Sequence, residues 1–256
     1  MFERYVAIGD STTEGLDDPD GAGGYRGWAD RLAARIGGSL RYANLGVRGK
    51  IARAIRDEQL APAAAMRPDL ATVVAGMNDL LRSDFDAEQV AGDVGEMQRV
   101  LIAGGAVVVS FTIPDLSRRI PIAGALPART RALNRALRAI SAATGARLLD
   151  LAAHDVASDP RLWAIDRLHA NAAGHARIAE AVAFTLGLPD ATEAWREPLP
   201  TPVPPARLVD DLAWGWRYVV PWLWRRARGR TAGDRVTAKR PTLVAVADGA
   251  TDRRRG

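Results

Sequence analysis

The sequence predicts an α/β fold in three layers around a central five-stranded parallel sheet, and three observations carry that prediction. Short apolar strand patterns alternate with helical patterns from residue 4 to residue 186. The strands are apolar at successive positions, as burial on both faces of a parallel sheet requires. The first three strands each run directly into a glycine or small polar residue, the pattern of strands that end at a site.

The first strand, Tyr5-Val6-Ala7-Ile8, leads without a spacer into Gly9-Asp10-Ser11. Gly, Asp and Ser are also common turn residues, so Asp10 or Ser11 taken alone fits a helix cap equally well. A glycine-rich loop over 21–27 precedes a helical pattern at 28–36, which Gly37-Gly38 ends. The loop does not match the dinucleotide fingerprint, because Arg26 stands three places after Gly23 where a glycine is needed. The second strand, 40–45, stops at Gly46-Val47-Arg48-Gly49, and an Ala- and Arg-rich helix runs on to about residue 65. Pro68-Asp69 marks the turn into the third strand, 70–75, which meets Gly76-Met77-Asn78-Asp79.

A helix at 87–103 and a fourth strand at 106–111 follow. The loop 112–127 is long for a strand-to-helix connection, and such loops tend to carry function. In it, Ile120, Ile122 and Leu126 are candidates for an acyl pocket, and Arg118 with Arg119 for an anionic headgroup. A helix at 128–143, a fifth strand at 146–151 and a last helix at 172–186 complete the domain. Right-handed crossovers put all strand carboxyl ends on one edge, so Ser11, Gly46 and Asn78 share it. The stretch Asp166-Arg167-Leu168-His169, after the fifth strand, can reach the same edge.

That edge has the ingredients of acyl transfer: a serine, a base for its proton, a carboxylate to orient the base, and donors for an oxyanion. Asp166 and His169 lie three apart, so one tight turn brings the carboxylate to the imidazole. The N–H groups of Ser11 and Gly46 and the side-chain amide of Asn78 are the candidate donors. His154 reads as structural, and His175, after Gly174, as a capping or surface residue.

Taken in order, Ile8-Gly9-Asp10-Ser11, Asn44-Leu45-Gly46, Gly76-Met77-Asn78-Asp79 and Asp166-Arg167-Leu168-His169 resemble the four blocks of the SGNH hydrolases, the GDSL esterases and lipases. The resemblance spans about residues 4 to 186. It implies a flavodoxin-like sheet and serine-dependent ester hydrolysis with neither metal nor cofactor. It also implies Ser11 as nucleophile, Asp166 and His169 as its partners, and Gly46 and Asn78 as oxyanion donors. Thr12 departs from the Leu or Ile that the family name implies, and Met77 from the more usual small residues.

Composition narrows the alternatives. The chain has no cysteine, which excludes disulfides, a thiol nucleophile and thiolate metal sites. Residues 196–256 hold thirteen Arg and Lys against six Asp and Glu, so the excess of +5 belongs to the tail and 1–195 is slightly acidic. The main domain therefore lacks the charge for nucleic acid. A metallophosphoesterase would need more His and Asp ligands, and a non-catalytic binding module would not need the full constellation. The N-terminus runs straight into the first strand and no stretch reaches the ~18 apolar residues of a membrane span, so a cytoplasmic protein is expected.

The expected organisation is a hydrolase domain over 1–195, a proline-rich connector over 196–206, a Trp- and Arg-rich helix over 207–230, and a disordered basic tail over 231–256. In the helix, Leu208, Leu212, Trp216, Val219 and Leu223 form one stripe, and Trp214, Tyr218 and Trp222 a neighbouring one. Two readings are open for it: packing on the domain or a partner subunit, and a surface helix on anionic lipid.

Overall fold

The computed structural model describes residues 2–115, 120, 124–203, 208–221, 224 and 232–246. Strands β1 (Arg4–Gly9), β2 (Arg41–Asn44), β3 (Leu70–Val74), β4 (Val107–Phe111) and β5 (Arg147–Leu149) run parallel. A sixth strand, β6 (Arg240–Ala245), joins beside β2 in the antiparallel sense, giving the order β5-β4-β3-β1-β2-β6. The parallel part has the flavodoxin-like order, in which a ligand crevice opens where β1 and β3 diverge.

Two expectations are corrected here. The sheet has six strands, and the sixth comes from the stretch expected to be disordered. Its residues are mostly exposed, so it lacks the apolar alternation that marks a half-buried strand, and Pro241 suits an edge position. What orders it is pairing with Arg41, Tyr42 and Asn44 of β2. Lys239 anchors its entrance, donating to the carbonyls of Tyr25 at 3.0 Å and Arg26 at 2.7 Å.

The helices in chain order are α1 (Ser11–Glu14), α2 (Gly27–Ile36), α3 (Ala52–Ala65), α4 (Met77–Leu80), α5 (Ala87–Ala103), α6 (Leu126–Thr144), α7 (Ala172–Leu186) and α8 (Leu208–Trp214). Alternate residues of β1 feed two cores, one on each face of the sheet. Val6 and Ile8 pack with Ile55, Val94 and Leu133 of α3, α5 and α6, while Tyr5 and Ala7 pack with Trp28, Leu32 and Val182 of α2 and α7. This is the three-layer arrangement the alternating pattern predicts. The stretch between β5 and α7 is a run of 3-10 turns, and the short helices α1 and α4 sit directly on the carboxyl ends of β1 and β3.

Register brings those ends together: Gly9 lies opposite Val74, so Asp10-Ser11 and Gly76-Met77-Asn78 leave the sheet side by side. A buried amide locks each neighbouring strand end. Gln59 accepts from Gly9 N–H at 2.8 Å and donates to its carbonyl at 2.9 Å. Asn134 makes the same pair of bonds with Ile113, both at 2.8 Å, just beyond β4. Satisfying both backbone groups at once removes an otherwise costly orphan at each site.

Candidate active site

Ser11 opens α1, and Asp10 caps that turn by accepting from Thr12 N–H at 2.9 Å. As the first helical residue, Ser11 has an N–H with no intrahelical acceptor. Its Oγ lies 2.9 Å from His169 Nε2, across 158 residues of sequence. His169 Nδ1 lies 2.5 Å from Asp166 Oδ2, and the other carboxylate oxygen accepts from Leu168 N–H at 3.0 Å and His169 N–H at 3.1 Å. Asp166 thus folds its own turn around the imidazole it holds. Arg167, between the two, takes a left-handed backbone with φ 63°.

A second carboxylate, Asp17, stands 3.5 Å from the same His169 Nδ1. Spacing alone does not reveal it: Asp17 lies on an exposed turn after α1, and its own left-handed backbone, φ 64°, turns the chain there. Burial by itself would push the His169 imidazole down, but the hydrogen bonds and charges of Asp166 and Asp17 outweigh it and raise it to about 9. Burial acts the opposite way on Asp166, yet its bonds to His169 and to backbone N–H groups hold its carboxyl below the usual range. Asp17, Asp166 and His169 have ligand atoms within 4.8 Å of one another, the one such cluster among the described residues that has the geometry to hold a cation.

The predicted oxyanion donors converge on the same edge but are engaged internally. Gly46 N–H donates to Asn44 Oδ1 at 2.9 Å, and Asn78 Nδ2 donates to Asp10 Oδ2 at 3.1 Å and to the Lys50 carbonyl at 2.9 Å. Gly46 is pressed against the Ser11–Glu14 turn: a Cβ there would lie 2.7 Å from Glu14 N. Burial raises the Asp10 carboxyl to about 6, so the partner of Asn78 titrates close to neutrality.

The other assignments fare unevenly. His175 is buried, not on the surface. Its Nδ1 accepts from Trp28 N–H at 3.1 Å and its Nε2 donates to the Leu16 carbonyl at 2.9 Å, and burial lowers it to about 4. It is a neutral tie between α2, α7 and the loop after Ser11. His154 stacks edge-on against Trp195 at 4.8 Å, in keeping with a structural part. Of the expected substrate pocket, Arg118, Arg119 and Ile122 lie outside the described residues. Leu126 is a core residue and Ile120 packs against the same core. The apolar cavity beside Ser11, about 60 Å³, is lined instead by Phe111, Ile113, Leu162, Trp163 and Ile178, with Asp10 and Thr12 also on its wall. Leu126 belongs to the core because it starts α6, whose inner face covers the sheet.

The profile of the GDSL-like Lipase/Acylhydrolase family matches residues 7–177, a stretch that contains all four blocks and the Ser11–His169–Asp166 line. The chain belongs to this family. It is an ester-bond hydrolase with the family's α/β fold. Among solved structures it is similar to Axe2, an acetylxylan esterase from Geobacillus stearothermophilus, at 18% identity and a TM-score of 0.61, covering 77% of this chain and 97% of that one. It is also similar to TesA at 23% identity and a TM-score of 0.60, covering 72% and 98%. A third is the psychrotrophic esterase EstA from Pseudoalteromonas sp., at 18% identity and a TM-score of 0.58, covering 72% and 97%. No curated protein is similar enough to the chain to be matched to it.

Proposed function

We propose that this GDSL-family hydrolase cleaves carboxylic esters through a covalent acyl-enzyme on Ser11. The observation that carries the reading is the continuous hydrogen-bonded line from Ser11 Oγ through His169 to Asp166. His169 Nε2 takes the Ser11 proton as Oγ bonds to the ester carbon, and the negative charge on the carbonyl oxygen faces the N-terminus of α1. Collapse breaks the bond to the alcohol oxygen, which leaves with the proton from His169. Water then gives its proton to His169 and attacks the acyl-enzyme, and the acid departs as Ser11 recovers its proton.

Ser11 N–H is the first donor to the oxyanion. Gly46 N–H exchanges the Asn44 side-chain carbonyl for it and the Asn78 amide the Lys50 carbonyl, because an anionic oxygen accepts roughly twice as strongly as a neutral one, while the second Asn78 bond, to Asp10, is kept. The substrate is a small acyl ester. Since Axe2 is an acetylxylan esterase, acetylated sugars belong in a substrate panel beside a chain-length series of nitrophenyl esters and lysophospholipid.

Fluorophosphonate labelling provides the test. The folded protein is expected to carry one adduct on Ser11, and Ser11→Ala to lose both adduct and ester hydrolysis, with full activity retained in chelator. Chelator-sensitive hydrolysis that survives Ser11→Ala would overturn the serine reading and favour a metal held by Asp17, Asp166 and His169.

A further inference from the structure

Helix α8 and its continuation divide cleanly into two faces. Asp211, Trp214, Tyr218 and Val219 turn inward and are half-buried, while Val209, Leu212, Trp216, Val220 and Trp224 point to solvent, Trp216 at 75% exposure. These five include both of the exposed tryptophans among the described residues. From Leu212 they recur every four residues. In a plain α-helix that spacing drifts about 40° per step, and the π-helical turn at Gly215–Val219 winds more loosely and takes up the drift. The drift is thereby reduced, and these apolar residues are all exposed.

The inward face holds the Asp166–His169 turn. Trp214 Nε1 donates to the Asp166 carbonyl at 2.9 Å, and Arg167 Nη1 donates to Asp211 Oδ1 at 2.6 Å. The Arg167 guanidinium also lies 5.0 Å from the centre of the Trp214 ring. Ile165, immediately before Asp166, is 75% exposed and adds a further apolar side chain to the surface beside the turn in sequence.

We propose that α8 and its π-helical continuation dock this enzyme on the surface of anionic phospholipid through the outward stripe, with the Asp166–His169 turn held against the inward face of the same helix. Charge selects the occupant. The stretch 207–230 carries six arginines against two aspartates, and one of those, Asp211, is already paired with Arg167; Asp210 is the exposed exception. An exposed stripe of Trp, Leu and Val that includes the exposed Arg217, in a stretch whose sequence is rich in arginine, matches an interface where apolar chains lie under phosphate groups. No helix among the described residues is long and apolar enough to cross a membrane, so the contact is peripheral. The link to catalysis rests on the serine-esterase reading above; the docking itself does not.

Sedimentation of the full chain with phosphatidylcholine vesicles, with and without phosphatidylglycerol, separates the outcomes. Binding is expected only to the phosphatidylglycerol vesicles, with weakening at high salt. The combined substitution Leu212→Ser, Trp216→Ser and Trp224→Ser is expected to lower the partition coefficient about tenfold or more, with thermal melting and hydrolysis of a soluble nitrophenyl ester unchanged. Ser11→Ala is expected to bind vesicles like the parent chain, so loss of esterase activity and loss of docking are read separately. No vesicle binding, equal binding to both vesicles, or anionic binding that the triple variant keeps would each overturn the proposal. Self-association abolished by the triple variant, without vesicle binding, would overturn it in favour of a second copy of this chain.

Discussion

At His169 two carboxylates meet one imidazole nitrogen, and the consequence is a base that holds its proton well into the alkaline range. In the proposed mechanism the free enzyme loses that proton before Ser11 attacks, so kcat/KM is expected to rise about tenfold per pH unit up to the His169 titration near 9. Asp17→Asn removes one of the groups that raise it and moves this limb to lower pH, while Asp166→Asn also spoils the tautomer and costs about 10⁴-fold in kcat. A pH–rate profile with its limb near 6.5, unmoved by Asp17→Asn, would contradict the two-carboxylate account. Linkage gives a second sign. A histidine raised from 6.5 to about 9 stabilises the fold fully below pH 6.5, and that contribution is lost as pH rises through about 9. The fall in Tm from pH 6.5 to pH 9 is therefore expected to be steeper for the parent chain than for His169→Gln. Asn78→Ala is expected to lower kcat by about 10²–10³-fold while leaving the fold intact.

Among the elements, the three strand-end turns are what the sequence makes legible. Ser11, Gly46 and Asn78 each follow an apolar strand directly, and a parallel sheet leaves such residues only one edge to occupy. Asp166 and His169 are legible for a different reason, since three residues of chain are too few to separate them. Asp17 is hidden because its partner is distant in sequence and its own turn is exposed. Gly46 illustrates what spacing does not convey: its N–H is bonded to Asn44, and its value lies in the absent Cβ. Gly46→Ala is expected to destabilise the fold by about 1–3 kcal/mol, read as a lower urea midpoint, because the added methyl meets the α1 backbone. In the proposed mechanism Trp214 acts on the site through the Asp166 carbonyl, as a positioning residue. Replacing it with Ala should lower kcat on a soluble ester by about tenfold to a hundredfold with KM little changed, and Phe, which keeps the ring over Arg167, should recover part of the loss.

For the whole molecule, the domain boundary drawn from composition falls in the wrong place. A proline-rich connector and an arginine-rich tail read as appendages, yet α8 touches the Asp166 turn and β6 completes the sheet. Composition tracks solvent exposure, and β6 is exposed; a backbone ladder, which has no residue signature, ties it to β2, helped by Arg41 on the Leu243 carbonyl and Arg240 over the Tyr42 ring. The long loop after β4 shows the converse, since its length marks it as special without saying which cavity its residues line.

The pairing of β2 with β6 joins residues nearly two hundred positions apart. At ribosomal rates of ~5–20 residues per second, about 10–40 s separate the synthesis of the two strands. Throughout that interval the backbone of Arg41–Asn44 faces outward as an open template, one strand away from the Ser11 turn. The nascent chain is thus exposed to wrong pairing at one defined edge, and a factor that shields that edge during translation would raise the yield of folded protein without touching the finished molecule.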